Sequence, residues 1–246
     1  MDAYLHIVMD YLPSNIHDYV LTYRKRKDIF PPILIKLFAY QIFYGLHQIH
    51  KKSIVHRDIK PQNLLINEET CELKICDFGS AKKLVADENN TSYIQSRYYR
   101  APELIYGCQN YTTSIDIWSA ACVIAEMILV GRPLFMGETS VGQIFEIAKI
   151  IGSPTSDDLM SFPHHLIINL PEMKEVELKS VFPAHAPKDL ISLLEEIFVY
   201  APKLRPSASE CLNHECFDEI FETEEDGSPK KLPNGKPFPK LTRSIA

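Results

Sequence analysis

Three features of the chain predict an α+β fold in which helices dominate. Two long apolar-periodic segments, one opening at Pro31-Pro32 and running through Ile49, the other from Ile115 to Val130, read as helices with buried faces. Between them, from Ser53 to Ile75, short apolar runs alternate with polar turns, the pattern of small strands flanking a loop. With 46% hydrophobic and 24% charged residues among 246, the composition is that of a globular protein with one substantial core or two small lobes.

Tyr4 to Met9 alternates weakly and predicts a short strand, and Pro13 ends any regular element there. Asn15 to Lys27 reads as a polar helix whose end carries the basic block Arg24-Lys25-Arg26-Lys27. We read that block as a solvated helix end rather than a nuclear-localisation or phospholipid signal. In the next helix Leu34, Leu37, Phe38, Gln41, Ile42, Leu46 and Ile49 share one face. Ile54-Val55, Leu64 to Ile66 and Leu73 to Ile75 are the candidate strands. The chain is then polar from Ser80 through Asn90, as a mobile segment is, and regains aromatic character at Tyr93, Tyr98 and Tyr99. Thr113 or Ser114 can cap a helix near Ile115 whose apolar residues face all round, which places it at the centre of a helical domain. Further helices are predicted at Val141 to Ile151, Lys188 to Tyr200 and Ser207 to Asn213. Ser153 to Pro187 reads as an irregular insertion, and Glu222 to Ala246 as a surface-hugging or disordered tail.

Several function classes are disfavoured. A net charge of -6 gives no sign of nucleic-acid binding. The six cysteines form no CxxC pair and read as reduced thiols; Cys211, His214 and Cys216 lack a fourth partner for zinc. The start of the chain has no signal-peptide pattern, and the most apolar segment is interrupted by Asp116, Ser119 and Glu126. The expected compartment is the cytoplasm, with the nucleus as a second.

The densest chemistry lies in Val55-His56-Arg57-Asp58-Ile59-Lys60-Pro61-Gln62-Asn63 and in Cys76-Asp77-Phe78-Gly79. Two carboxylates, a lysine and an asparagine at these spacings suit phosphoryl transfer from a metal-bound nucleotide. Asp58 would orient an acceptor hydroxyl and take its proton, Asn63 and Asp77 would hold magnesium, and Lys60 would balance charge on the moving group.

These motifs, followed by Arg100-Ala101-Pro102-Glu103, Asp116-Ile117-Trp118-Ser119 and the late Arg205, resemble the carboxy-terminal lobe of eukaryotic protein kinases, a protein kinase-like α+β fold. Lys60 after Asp58 looks like the serine/threonine type. Asp77 to Lys82, Ser92-Tyr93-Ile94, Ser96 to Glu103 and Leu232-Pro233-Asn234-Gly235 resemble the glycogen synthase kinase 3 (shaggy) family of the CMGC group. The resemblance implies a hinge and small-lobe remnant over residues 1–12, a helical lobe over 13–220 with an insertion at about 152–187, and a tail over 221–246. It implies ATP and magnesium as cofactors, protein substrates that already carry a phosphate, and scaffold proteins docking on the helical lobe. Met9 would be the gatekeeper, and the backbone of Asp10 and Leu12 would meet adenine, with Gln62, Leu65 and Cys76 completing that site. Arg57 and Lys82 would bind the phosphate already on the substrate. Tyr93 would be a regulatory phosphotyrosine with Arg97 as partner, Glu103 and Arg205 would form a buried structural pair, and Asp116 would brace the catalytic loop.

The pattern also departs from the resemblance. No G-x-G-x-x-G occurs in the 246 residues, and the strand lysine and helix glutamate that a kinase places upstream of its hinge are not found. Ala121 stands where that family usually has glycine, and Asp18 where it carries a basic residue. The expectation is therefore a kinase chain impaired in its own activity. The competing reading is a non-catalytic module that docks partners.

Overall fold

The structure is a computed structural model that describes residues 8–85, 88–162, 166–223, 227 and 230–243. The strand expected at Tyr4 to Met9 falls largely outside the described residues. Val8 and Met9, which are described, have no regular structure and are exposed.

Strand β1 (Ser14–Asn15) leads directly into helix α1 (Ile16–Arg26). Asn15 caps that helix because its short side chain reaches the first turn, where Oδ1 accepts the Asp18 N–H at 2.9 Å. The basic block lies in the last turn, where cations complement the helix dipole. Helix α2 (Pro32–His50) begins on a proline that needs no N–H partner there, and it buries most of its length from Leu34 to Leu46.

Small antiparallel strands follow. Strand β2 (Ile54–Val55) pairs with β5 (Lys82–Lys83), while β3 (Leu64–Asn67) sits between β1 and β4 (Glu72–Ile75). Two-residue strands such as β1 and β5 carry no alternation to read, and they went unpredicted.

The remaining helices are α3 (Pro102–Ile105), α4 (Ser114–Ile128), α5 (Ser140–Ile151), α6 (Ser156–Met160), α7 (Leu178–Val181), α8 (Lys188–Ile197) and α9 (Ala208–Leu212). Every residue of α4 from Ile115 to Ile128 is buried, so the predicted central helix is central. Thr113 stands at its N-cap but makes no side-chain cap bond; Thr112 Oγ1 accepts the Ser114 N–H at 3.3 Å instead.

One further expectation needs correction. The helix predicted to reach Tyr200 stops at Ile197, because the Phe198 ring turns in to pack at 5.1 Å from Trp118 and 5.3 Å from Phe135. The segment expected as an irregular insertion carries two short helices, α6 and α7, with no regular structure from 166 to 177. Thr155 and Asp158 form a capping box that starts α6, and Ser153 Oγ donates to the Pro171 carbonyl and accepts from Met173 N, folding the segment back on itself. The described part of the tail packs back onto the fold. Leu232 is buried, Lys236 pairs with Glu69 at 2.6 Å, and Tyr40 Oη donates to the Thr242 carbonyl at 2.8 Å. Among the described residues, no helix is long and apolar enough to cross a membrane.

Candidate active site

The loop between β2 and β3 is held from below by a single buried carboxylate. Asp116, in the first turn of α4, accepts the His56 N–H at 2.7 Å and the Arg57 N–H at 2.9 Å, one on each oxygen, while His50 Nε2 lies 2.9 Å from Oδ2. Two backbone donors on one fixed acceptor pin the loop conformation, including the positive φ of 68° at Arg57. Asp77 (φ 60°) and Gln95 (φ 65°) adopt the same left-handed region. Side chains make that region cost about 1–3 kcal/mol, so its occurrence at three places in one site marks backbone that its surroundings hold in place.

Asp58 is gripped on both carboxylate oxygens. Lys60 Nζ donates to Oδ2 at 2.6 Å and Asn63 Nδ2 at 3.1 Å, while Oδ1 accepts Ser96 Oγ–H at 2.9 Å and Ser96 N–H at 3.3 Å. Asn63 Nδ2 also donates to the Asp58 carbonyl at 2.8 Å, which turns the Asn63 amide oxygen away from Asp58. His56 ties this loop to the segment carrying Asp77. Its Nδ1 accepts the Asp58 N–H at 3.3 Å, which assigns the ring proton to Nε2, the donor to the Cys76 carbonyl at 2.9 Å. The His56 ring meets Phe78 edge-on at 5.0 Å, and Cys76 N–H donates to the Asn63 carbonyl at 2.9 Å. Asp77 therefore follows directly on a backbone bond to Asn63, and its exposed carboxylate accepts only the Gly79 N–H at 3.3 Å among the bonds described. An amide oxygen and a carboxylate are hard donors of the kind magnesium takes.

Arg57 and Lys82 are brought to one side of the site, because Val55 pairs with Lys82 across β2 and β5. Arg57 Nε donates to the Ser80 carbonyl at 2.5 Å and Nη1 to Tyr111 Oη at 3.1 Å, while Lys82 pairs with Glu88 at 2.7 Å. Farther along lie Tyr93 and Arg97, expected as a phosphotyrosine and its partner. The Tyr93 ring lies under the Arg100 guanidinium at 4.8 Å, and Arg97 Nη1 donates to the Glu138 carbonyl. Glu103 and Arg205 form two parallel bonds at 2.7 and 2.8 Å, buried at both ends, and Arg205 also stands 5.0 Å over Trp118.

A family model described as protein kinase domain matches residues 1–217. The chain belongs to the protein kinase family. Protein kinase function in the general sense, acting on protein substrates, goes with that membership.

The kinase residues assigned to the nucleotide are placed differently from those around Asp58. Met9 is 79% exposed, Asp10 pairs with Lys74 at 2.6 Å, Leu12 is half-buried and Gln62 is exposed. Leu65 lies in β3 between Asn15 and Lys74, and burial together with the Asp77 carboxylate pushes the Cys76 thiol up from its ordinary pKa.

Sequence reading assigned no role to His56, Ser96, His50 or Tyr111, all of which contact the site residues. For His56 and Ser96 a signal existed: an imidazole two residues before the carboxylate, and a hydroxyl ahead of the Arg97-Tyr98-Tyr99 run. His50 and Tyr111 carried none, since their partners lie far away in sequence.

Proposed function

We propose that the chain is a serine/threonine-type kinase similar to the glycogen synthase kinase 3 (shaggy) family. In this reading Asp58 orients the acceptor hydroxyl of a protein serine or threonine and takes its proton. The observation that carries the reading is the Asp58 carboxylate fixed on both oxygens by Lys60, Asn63 and Ser96. A carboxylate fixed in this way is a pre-positioned acceptor, and the adjacent Lys60 ammonium suits the charge that moves during transfer. Asn63 and Asp77 would hold magnesium, and magnesium ATP, when bound, supplies the phosphoryl group and the neutralising metal charge. Met9, Asp10, Leu12, Gln62, Leu65 and Cys76 would meet the nucleotide.

The same reading assigns Arg57 and Lys82 to a phosphate already on the substrate. Glu88 on Lys82 supports this, since the ammonium already accepts an anion there. Tyr93 is a candidate modification site, being 77% exposed, with Arg100 rather than Arg97 against its ring. Because no glycine-rich loop or clamp lysine occurs in these residues, a polypeptide of residues 1–246 alone is expected to transfer phosphate slowly or not at all.

Binding of a peptide with a phosphoserine four residues after the target serine tests the reading. The purified chain should bind it more tightly than the unphosphorylated peptide, and Lys82→Ala should weaken the phosphopeptide about tenfold. Any phosphate transfer should disappear in Asp58→Asn. Equal affinities for the two peptides remove the substrate-phosphate assignment, and transfer that survives Asp58→Asn removes the base.

A further inference from the structure

The segment that brings Ser96 to Asp58 passes first through Gln95, a residue the proposed reaction does not itself use. Gln95 is 8% exposed with φ 65°, so a flexible polar side chain is buried on a backbone turn that side chains rarely favour. Both ends of its amide are engaged. Nε2 donates to the Ile115 carbonyl at 3.1 Å, and Oε1 accepts the Ala101 N–H at 3.1 Å. Its own backbone carbonyl accepts from Arg100 Nη2 at 2.8 Å.

The two ends of that amide reach the two buried anchors of the site. Ile115 is the residue before Asp116, which pins the catalytic loop, and Ala101 opens α3, whose Glu103 is gripped by Arg205. One side chain therefore spans the gap between α4 and α3 just beneath the residue whose N–H and hydroxyl meet Asp58.

We propose that Gln95 is a positioning residue for the acceptor side of the site: its side-chain amide clamps the segment between α4 and α3 and so keeps the N–H and Oγ of Ser96 on Asp58. The proposal rests on the reading of Asp58 as the base. When the amide is removed, the peptide between Gln95 and Ser96 keeps only the Arg100 bond on its carbonyl and the 3.3 Å Asp58 bond on its N–H, and the positive φ of Gln95 is free to return to negative values. The Ser96 N–H then turns away from the carboxylate.

Residue-resolved hydrogen exchange on the whole chain tests the clamp without any need for turnover. In Gln95→Leu, and in the unbranched Gln95→Met if leucine disturbs packing, exchange at Ser96 and Ala101 should rise at least about tenfold while Trp118 to Ile124 in α4 keep their protection. Unchanged protection at Ser96 overturns the proposal. A uniform rise through α4 also overturns it, because that is the mark of a general stabiliser.

Kinetics supply a readout that a merely structural role would not move. Gln95→Leu should lower kcat about tenfold with the KM for ATP unchanged, and should add less than about threefold in a Ser96→Ala background, since both changes act through one contact. Effects that multiply in the double variant overturn the proposal. If the unsubstituted chain transfers no phosphate at all, the lack of a glycine-rich loop and clamp lysine in these residues accounts for that, and the exchange measurement alone decides on the clamp.

Discussion

The two sides of the site are built to different standards. On the acceptor side Asp58, Asp116, Gln95, Glu103 and Arg205 are tied together by bonds made largely out of contact with water, and each charged group meets an opposite charge or several hydrogen-bond donors. On the side proposed to meet the nucleotide, Met9 lies open, Phe78 is 48% exposed, and the ion pairs of Lys74 with Asp10 and Glu72 sit in solvent. The contrast shows which half these residues organise on their own. The order around Asp58 is intrinsic to the helical fold around α4, whereas Met9 and Asp10, among the residues proposed to meet the nucleotide, have few neighbours to fix them.

The largest effect should come from breaking the acceptor side at its deepest pair. Arg205 and Glu103 are bonded twice with side chains 0% and 2% exposed, so Glu103→Ala leaves a guanidinium buried without its partner. Losing one partner of such a pair costs about 3–5 kcal/mol. Denaturant unfolding should show that loss, and a change under about 1 kcal/mol would mean the pair is not the anchor its burial implies.

How much of this was legible in the sequence follows the same division. Asp58, Lys60 and Asn63 could be placed together because they share one short loop, and α2 and α4 because their apolar residues recur at helical spacing. What escaped depends on partners distant in sequence: Ser96 reaches Asp58 across 38 residues, His50 reaches Asp116 across 66, and Lys36 reaches Asp189 across 153. No local pattern encodes those meetings. The overrun of α8 has a related cause, since Phe198 fits the helical period but is drawn off by Trp118 and Phe135 from other segments.

A subtler way to sharpen the comparison uses Glu126. It is buried in α4, where Tyr99 Oη donates to its carboxylate at 2.7 Å, and burial raises its pKa above the ordinary carboxyl value of 4.5 despite that bond and the nearby His17. A carboxyl that holds its proton more tightly when folded favours the folded state at low pH, and its contribution is lost as pH rises from 4.5 through the raised folded value. Glu126→Gln keeps an acceptor for Tyr99 and removes the titration. The stability of Glu126→Gln relative to the unsubstituted chain should therefore climb as pH increases over that window and then level off. A flat difference from pH 4 to 8 would contradict a buried titrating carboxyl.

The smallest effect belongs to the nucleotide side. Asp10 is 78% exposed at its side chain, and the Lys74 ammonium beside it holds its carboxyl below the ordinary value of 3.8. The sign is the reverse of that for Glu126: the pair's contribution is present above that value and is lost as pH falls through the lowered folded pKa. Water and salt screen a pair this exposed, so Asp10→Asn should leave the melting temperature unchanged at neutral pH and physiological ionic strength. The pairing itself should still be visible, because Lys74→Ala returns the Asp10 carboxyl toward its ordinary titration by carbon NMR. A clear loss of melting temperature in Asp10→Asn would mean that the segment around Met9 is anchored far more firmly than one solvent-facing ion pair allows, and the difference between the two sides would shrink accordingly.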